Sequence, residues 1–145
     1  MKDLLNPYQK NSLRVTLQTF EEDLRHTLDW LDGREENGIL YNRRLNLPKE
    51  GREHARQGIN VALGLIENLR KKFELHKETS DAASMLQGEL TVSWANLHDA
   101  RAKKLTRFGK VHPELESILD QDIQNLAEIA LHLSTILSKS QQEKP

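Results

Sequence analysis

Leu13, Leu17, Phe20, Leu24, Leu28 and Leu31 follow one another at steps of four, three, four, four and three residues, the spacing that keeps one face of an α-helix apolar over about five turns. The pattern predicts a first helix over 8–32. Ala55, Ile59, Leu63, Ile66 and Phe73 draw a second line and predict a helix over 49–77, with Pro48 suited to its first turn. Leu86, Leu90, Trp94, Leu97, Leu105 and Phe108 predict a third over 80–108, opened by Ser80 as N-cap and stopped near Gly109. From Pro113 a fourth stripe runs through Leu115, Leu119, Ile123, Leu126, Ala130, Leu133 and Leu137 and predicts a helix over 113–138. Ile118, Ile129 and Ile136 widen that last stripe on one side.

No strand-like alternation competes with these stripes. The expected fold is all-α: an antiparallel up-down-up-down four-helix bundle with one long connection, between the first two helices. At 145 residues the chain has the size of one ordinary domain. The expectation is a single helical-bundle domain over 1–145, with a frayed polar tail at 139–145, "KSQQEKP".

The long connection is unusual. "NGILYNRRLNLPKEG", Asn37 to Gly51, sets Ile39, Leu40, Tyr41, Leu45 and Leu47 around Arg43 and Arg44. Such a segment either folds over the end of the bundle or presents its side chains to a partner. Leucines turned inward, with Tyr41, Arg43 and Arg44 turned outward, satisfy both demands. On the first helix a second, weaker line, Tyr8, Ser12, Val15, Thr19, Glu22, His26 and Trp30, leaves Trp30 at the edge of the core face. Tyr41, Arg43, Arg44 and Trp30 are therefore the candidate partner-binding residues.

Composition narrows the chemistry. Lys and Arg number 21 against 22 acids, a formal net charge of −1, so no global field attracts nucleic acid or an anionic membrane. Basic and acidic residues alternate along the helices, and no basic stripe for nucleic acid is visible. The absence of cysteine excludes a thiolate nucleophile and any cysteine-based zinc or iron–sulfur site, and it suits a reducing cytosol. The opening residues, broken by Asp3, Asn6, Pro7 and Lys10, carry neither a signal peptide nor a membrane span. A cytoplasmic protein is expected.

Helical bundles build metal sites from inward carboxylates and closely spaced histidines. His26, His54, His76, His98, His112 and His132 contain no pair within four residues. His26 has Glu22, Asp23 and Asp29 at helical contact spacing, but it lies nearly opposite the leucine stripe, and Glu128 with His132 likewise falls off the core line. No metal and no cofactor is expected. The seven glycines are scattered, without a G-x-G pair, and neither serine-nucleophile nor phosphate-loop motifs occur.

Two arginines break the core lines. Arg70 interrupts the second stripe and Arg101 the third. Their stems can lie on apolar surface with the guanidinium in water. Counted from the turn near Lys110, Arg101 and Asp122 also come to similar heights on antiparallel neighbours. A buried polar pair, Arg101 with Asp122, is expected to fix helix register there.

Two stretches, "RKKFELH" from Arg70 to His76 and "RFGKVH" from Arg107 to His112, resemble the Arg-x4-6-His motif of HEPN-type helical ribonucleases. That resemblance implies an arginine that steadies a phosphate and a histidine that assists attack of a 2′-hydroxyl. Neither stretch carries the asparagine that often follows the arginine in that family. Beside it stands the reading that the composition favours, a non-enzymatic helical interaction or assembly module, a homodimer or the binder of another protein.

The histidine spacing yields a direct expectation: protein purified under mild conditions carries no stoichiometric transition metal. Elemental analysis checks it, and one equivalent of zinc, iron or manganese lost on His26→Ala or His132→Ala would overturn it.

Overall fold

The computed structural model describes residues 4–142. Among these residues the chain is all-α apart from one short two-stranded ribbon, and it divides into two compact units, Met1–Glu78 and Thr79–Pro145. No helix among them is long and apolar enough to cross a membrane.

In the first unit α1 spans Pro7–Leu31, within a residue of the span predicted from the leucine stripe. Asn6 fixes its start. Its Oδ1 accepts the Gln9 N–H at 2.8 Å while Gln9 Oε1 accepts the Asn6 N–H at 2.9 Å, and Pro7 fills the first turn, where a missing N–H costs nothing. Leu13, Leu17, Leu24 and Leu28 are half-buried and Leu31 is buried. Phe20, on the same line, stays exposed.

The connection that follows holds a β-ribbon where no strand was expected. β1 (Glu35–Asn37) pairs with β2 (Asn42–Arg44) in antiparallel register, Glu35 opposite Arg44, Glu36 opposite Arg43 and Asn37 opposite Asn42. The ribbon escapes a search for alternating hydrophobicity because cross-strand charge, not an apolar face, holds it. At the turn the Gly38 N–H donates to the Tyr41 carbonyl at 2.8 Å. The Tyr41 ring lies so close over Gly38 that a methyl group there would stand 2.7 Å from Tyr41 Cε1.

α2 (Lys49–Lys72) runs antiparallel to α1. Its first turns supply a guanidinium clamp for the end of α1. Arg52 donates from Nε to the Leu47 carbonyl at 2.8 Å, from Nη2 to Leu45 at 2.9 Å and from Nη1 to Leu31 at 3.3 Å. Arg56, one turn later, donates to the Leu31 carbonyl at 3.0 Å and to the Asp32 carboxylate. The last carbonyls of a helix have no partner within it and carry its negative dipole end, so cations suit them. At the opposite end Arg14 of α1 lies 3.3 Å from Glu78.

α2 stops before the predicted residue 77. Phe73 caps it, Glu74 turns left-handed (φ 52°), and the Leu75 N–H reaches back to the Arg70 carbonyl at 2.9 Å. Leu75 is then buried, the apolar contact that accompanies this kind of stop.

The second unit pairs α3 (Ala82–His98) with α5 (Leu115–Gln142). The seam is built of small residues: Ala83, Ala127, Ala130 and Ser134 are buried, and Ser134 Oγ lies 3.2 Å from Thr91 Oγ1. Small side chains let the two backbones approach closely. The third predicted helix is broken. α3 ends at His98, and after a turn a short α4 (Ala102–Leu105) and a 3-10 turn (Thr106–Phe108) carry the chain to Gly109. α4 starts where it does because the Ala102 N–H donates to the Asp120 carboxylate of α5 at 2.8 Å. Helix α5 continues to Gln142, so residues 143–145 of the expected tail lie outside the described residues.

Arg52 is the test of this arrangement in the first unit. Arg52→Ala is expected to lower the unfolding free energy by about 2 kcal/mol, since it strands carbonyls that a charged donor held. Arg52→Lys restores less than half, because an ammonium cannot reproduce the planar fork. Urea unfolding measures both, and values within about 0.5 kcal/mol of the parent would exclude the clamp.

Candidate functional site

The four residues singled out in the sequence lie at one end of the first unit, three of them linked through Arg34 and Glu36 and the fourth, Arg44, paired with Glu35. Trp30, in the last turn of α1, donates from Nε1 to His26 Nε2 at 3.2 Å. The Arg34 guanidinium stacks 5.5 Å from the Trp30 ring and donates to Glu36 Oε2 at 2.9 Å. Glu36 Oε1 accepts from Arg43 at 2.8 Å, and the Arg43 guanidinium lies 5.1 Å from the Tyr41 ring. Arg44 is 3.9 Å from Glu35 on the facing strand. A continuous run of aromatic and charged side chains thus joins Trp30 to Tyr41 through Arg34 and Glu36.

Its chemistry differs from that of two free arginines. Glu35 and Glu36 neutralise Arg44 and Arg43 at cross-strand positions, so the ribbon has no net positive field to seize an anion. What stands out instead is the tip. Ile39 is 100% exposed and Leu40 95%, with Tyr41 half-exposed beside them. Leu45 and Leu47, farther along the connection, are half-buried under the Arg52 clamp. Ile39 and Leu40 carry the apolar character of the site, and the signal for them was the Asn37-Gly38 dipeptide, which marks a hairpin turn and so lifts the next residues off the surface.

A second concave region lies in the same unit between α1 and α2, an open groove of about 720 Å³. Leu17, Ile66 and Leu75 give it an apolar floor, and Arg70 and His76 both line it. Its charges are largely matched within the wall. Glu67 accepts from Arg70 at 2.6 and 2.9 Å, Glu21 from Arg25 at 2.7 Å, and Arg14 lies 3.3 Å from Glu78. The hydrogen bonds from Arg70, aided by its charge and that of Lys71, hold the Glu67 carboxyl below its ordinary pKa, and the same bonds raise that of Arg70.

The other motif match does not converge. Arg107 donates to the Lys104 carbonyl at 3.2 Å, while His112 Nδ1 accepts the Glu114 N–H at 3.1 Å. Nor does the structure join Arg101 to Asp122. Arg101 donates to the His98 carbonyl at 2.9 Å, and Asp122 is exposed on α5. The break after His98 takes Arg101 out of helical register, and Asp120, two residues before Asp122, takes the contact with α4. Among the described residues no cluster of three or more histidines and carboxylates is placed to hold a metal ion.

In comparisons with protein-family models, curated proteins and solved structures, nothing matches the chain.

Arg70→Ala is expected to raise the Glu67 pKa toward that of a free carboxylate, read from its side-chain carboxyl carbon shift by NMR. Because the folded value lies below the unfolded one, the pair's contribution is present above the unfolded pKa and fades as pH falls through the folded one. An unchanged Glu67 titration in the variant would show that Arg70 does not set it.

Proposed function

We propose that this chain is a non-enzymatic helical interaction module of the cytoplasm, which docks the tip of its β-ribbon onto a protein partner and assembles as a homodimer. The observation that carries the reading is the tip itself. Two large aliphatic side chains, Ile39 and Leu40, stand almost wholly in water at the end of a ribbon held by ion pairs. Single exposed apolar residues are common, but two adjacent ones on a projection next to Tyr41 and Arg43 place apolar area beside the residue types that anchor protein interfaces. Seating both in an apolar pocket would contribute roughly 3–6 kcal/mol before the cost of association. Arg43 and Arg44 then set orientation by exchanging their ribbon carboxylates for acidic groups of the partner.

A second reading has one observation in its favour: Arg70 and His76, the HEPN-like pair, line the same groove. The Arg70 guanidinium is committed to Glu67 there, and a phosphate would have to displace that carboxylate. Cleavage of single-stranded RNA that disappears in His76→Ala would support this reading over the first.

The test of docking separates stability from association. Ile39→Asp with Leu40→Asp should leave the melting temperature of the purified chain unchanged and abolish recovery of the partner from the native host by a photo-crosslinker at Tyr41. Arg43→Ala with Arg44→Ala should keep the helices, loosen the ribbon that these arginines hold and weaken that association most at low salt. Full partner recovery by both double variants would end the docking reading.

A further inference from the structure

The second unit carries an apolar face of its own. Along α5, Ile118, Leu126, Ile129, Leu133 and Ile136 remain 42–67% exposed. At 100° per residue they occupy an arc of about 80° beside the seam with α3, over a length of about 27 Å. We infer that this arc is covered by the same arc of a second copy of the chain, with the two α5 helices antiparallel. The assignment deepens the homodimer of the proposed function and rests on it.

The order of residues along the arc argues for that occupant. Reversing α5 about residue 127 brings Ile118 to the height of the partner's Ile136 and Leu126 to within one residue of the partner's Ile129. Ile118, Leu126, Ile129 and Ile136 thus meet apolar side chains at matching heights when the helix is read in either direction, as an interface between identical patches requires, while Leu133 comes beside the partner's Gln121. Its one acid, Asp122, arrives at the height of the partner's His132. Both side chains are exposed in the single chain, and an imidazole N–H of His132 can donate to the Asp122 carboxylate twice across the dimer axis. A parallel pair would instead set Asp122 beside the partner's Asp122. The five side chains leave roughly 400–500 Å² of apolar surface in water per copy, within the range of the largest patch on a typical monomer and, doubled, in the size class of small reversible interfaces.

The chain contains no cysteine, so single cysteines report on this geometry cleanly. Leu126→Cys lies near the dimer axis and is expected to form a covalent dimer under mild oxidation. Ile118→Cys alone should not, since its two copies would stand about 27 Å apart, whereas Ile118→Cys mixed with Ile136→Cys should yield the mixed dimer. Ile129→Lys should keep the helical circular dichroism and sediment as a monomer where the parent is a dimer. Cross-linking of Ile118→Cys alone as fast as Leu126→Cys, or a Leu126→Cys chain that stays monomeric, would overturn the assignment. The Ile39→Asp, Leu40→Asp chain should retain the Leu126→Cys cross-link. Loss of the α5 cross-link with intact tip-dependent partner recovery therefore sinks this inference alone, and loss of both sinks the interaction module with it.

Discussion

Two arginines a helical turn apart, Arg52 and Arg56, hold the first unit together at its most awkward point. A helix ends there, a ribbon projects, and the chain must return antiparallel with its carbonyls satisfied. Arg52 gathers the carbonyls of Leu31, Leu45 and Leu47 into one planar fork, and Arg56 closes over Leu31 and Asp32. An apolar contact has no direction and would let the connection slide. A guanidinium with fixed donor geometry sets both the distance between α1 and α2 and the angle at which the ribbon leaves them. The site at the ribbon tip is positioned by this clamp, and so is the half-burial of Leu45 and Leu47 beneath it.

The long helices were legible because each carries many turns of one periodic signal. The stripe in 8–32 identifies α1 almost residue for residue, since a strong stripe and local caps agree. The stops were less legible, and for different reasons. Glu74 adopts a left-handed backbone that glycine would ordinarily take, so nothing in its identity announces the end of α2. The break after His98 depends on Asp120, a cap contributed from 18 residues farther along the chain, and no local window contains it. The ribbon was missed because three residues of each strand, paired by charge, offer no period to detect.

Of the candidate site, the residue types were visible and their connections were not. Trp30, Tyr41, Arg43 and Arg44 stand out in a connection too apolar and too basic for a plain loop. Arg34 and Glu36 look ordinary in sequence, yet they carry the contact from the indole of α1 to the ribbon. Arg101 and Asp122 illustrate the reverse case. Height counting along ideal helices placed them together, and a single non-helical turn was enough to separate them. Burial was also harder to foresee than periodicity. Among the described residues no large side chain is fully buried, and half of the buried positions belong to alanines, because close helix contact favours small residues over the leucines that define the stripes.

The ribbon's division of charge governs how its open edges meet other strands. β1 presents Glu35 and Glu36, and β2 presents Arg43 and Arg44. Two copies meeting symmetrically along β2 would set arginine against arginine, and along β1 glutamate against glutamate, both repulsive at cross-strand distance. Edge strands are ordinarily the sites where sheets grow into aggregates. Here the same four residues that fold the ribbon disfavour symmetric pairing of either edge with its own kind, because neither edge can offer its copy the opposite charge.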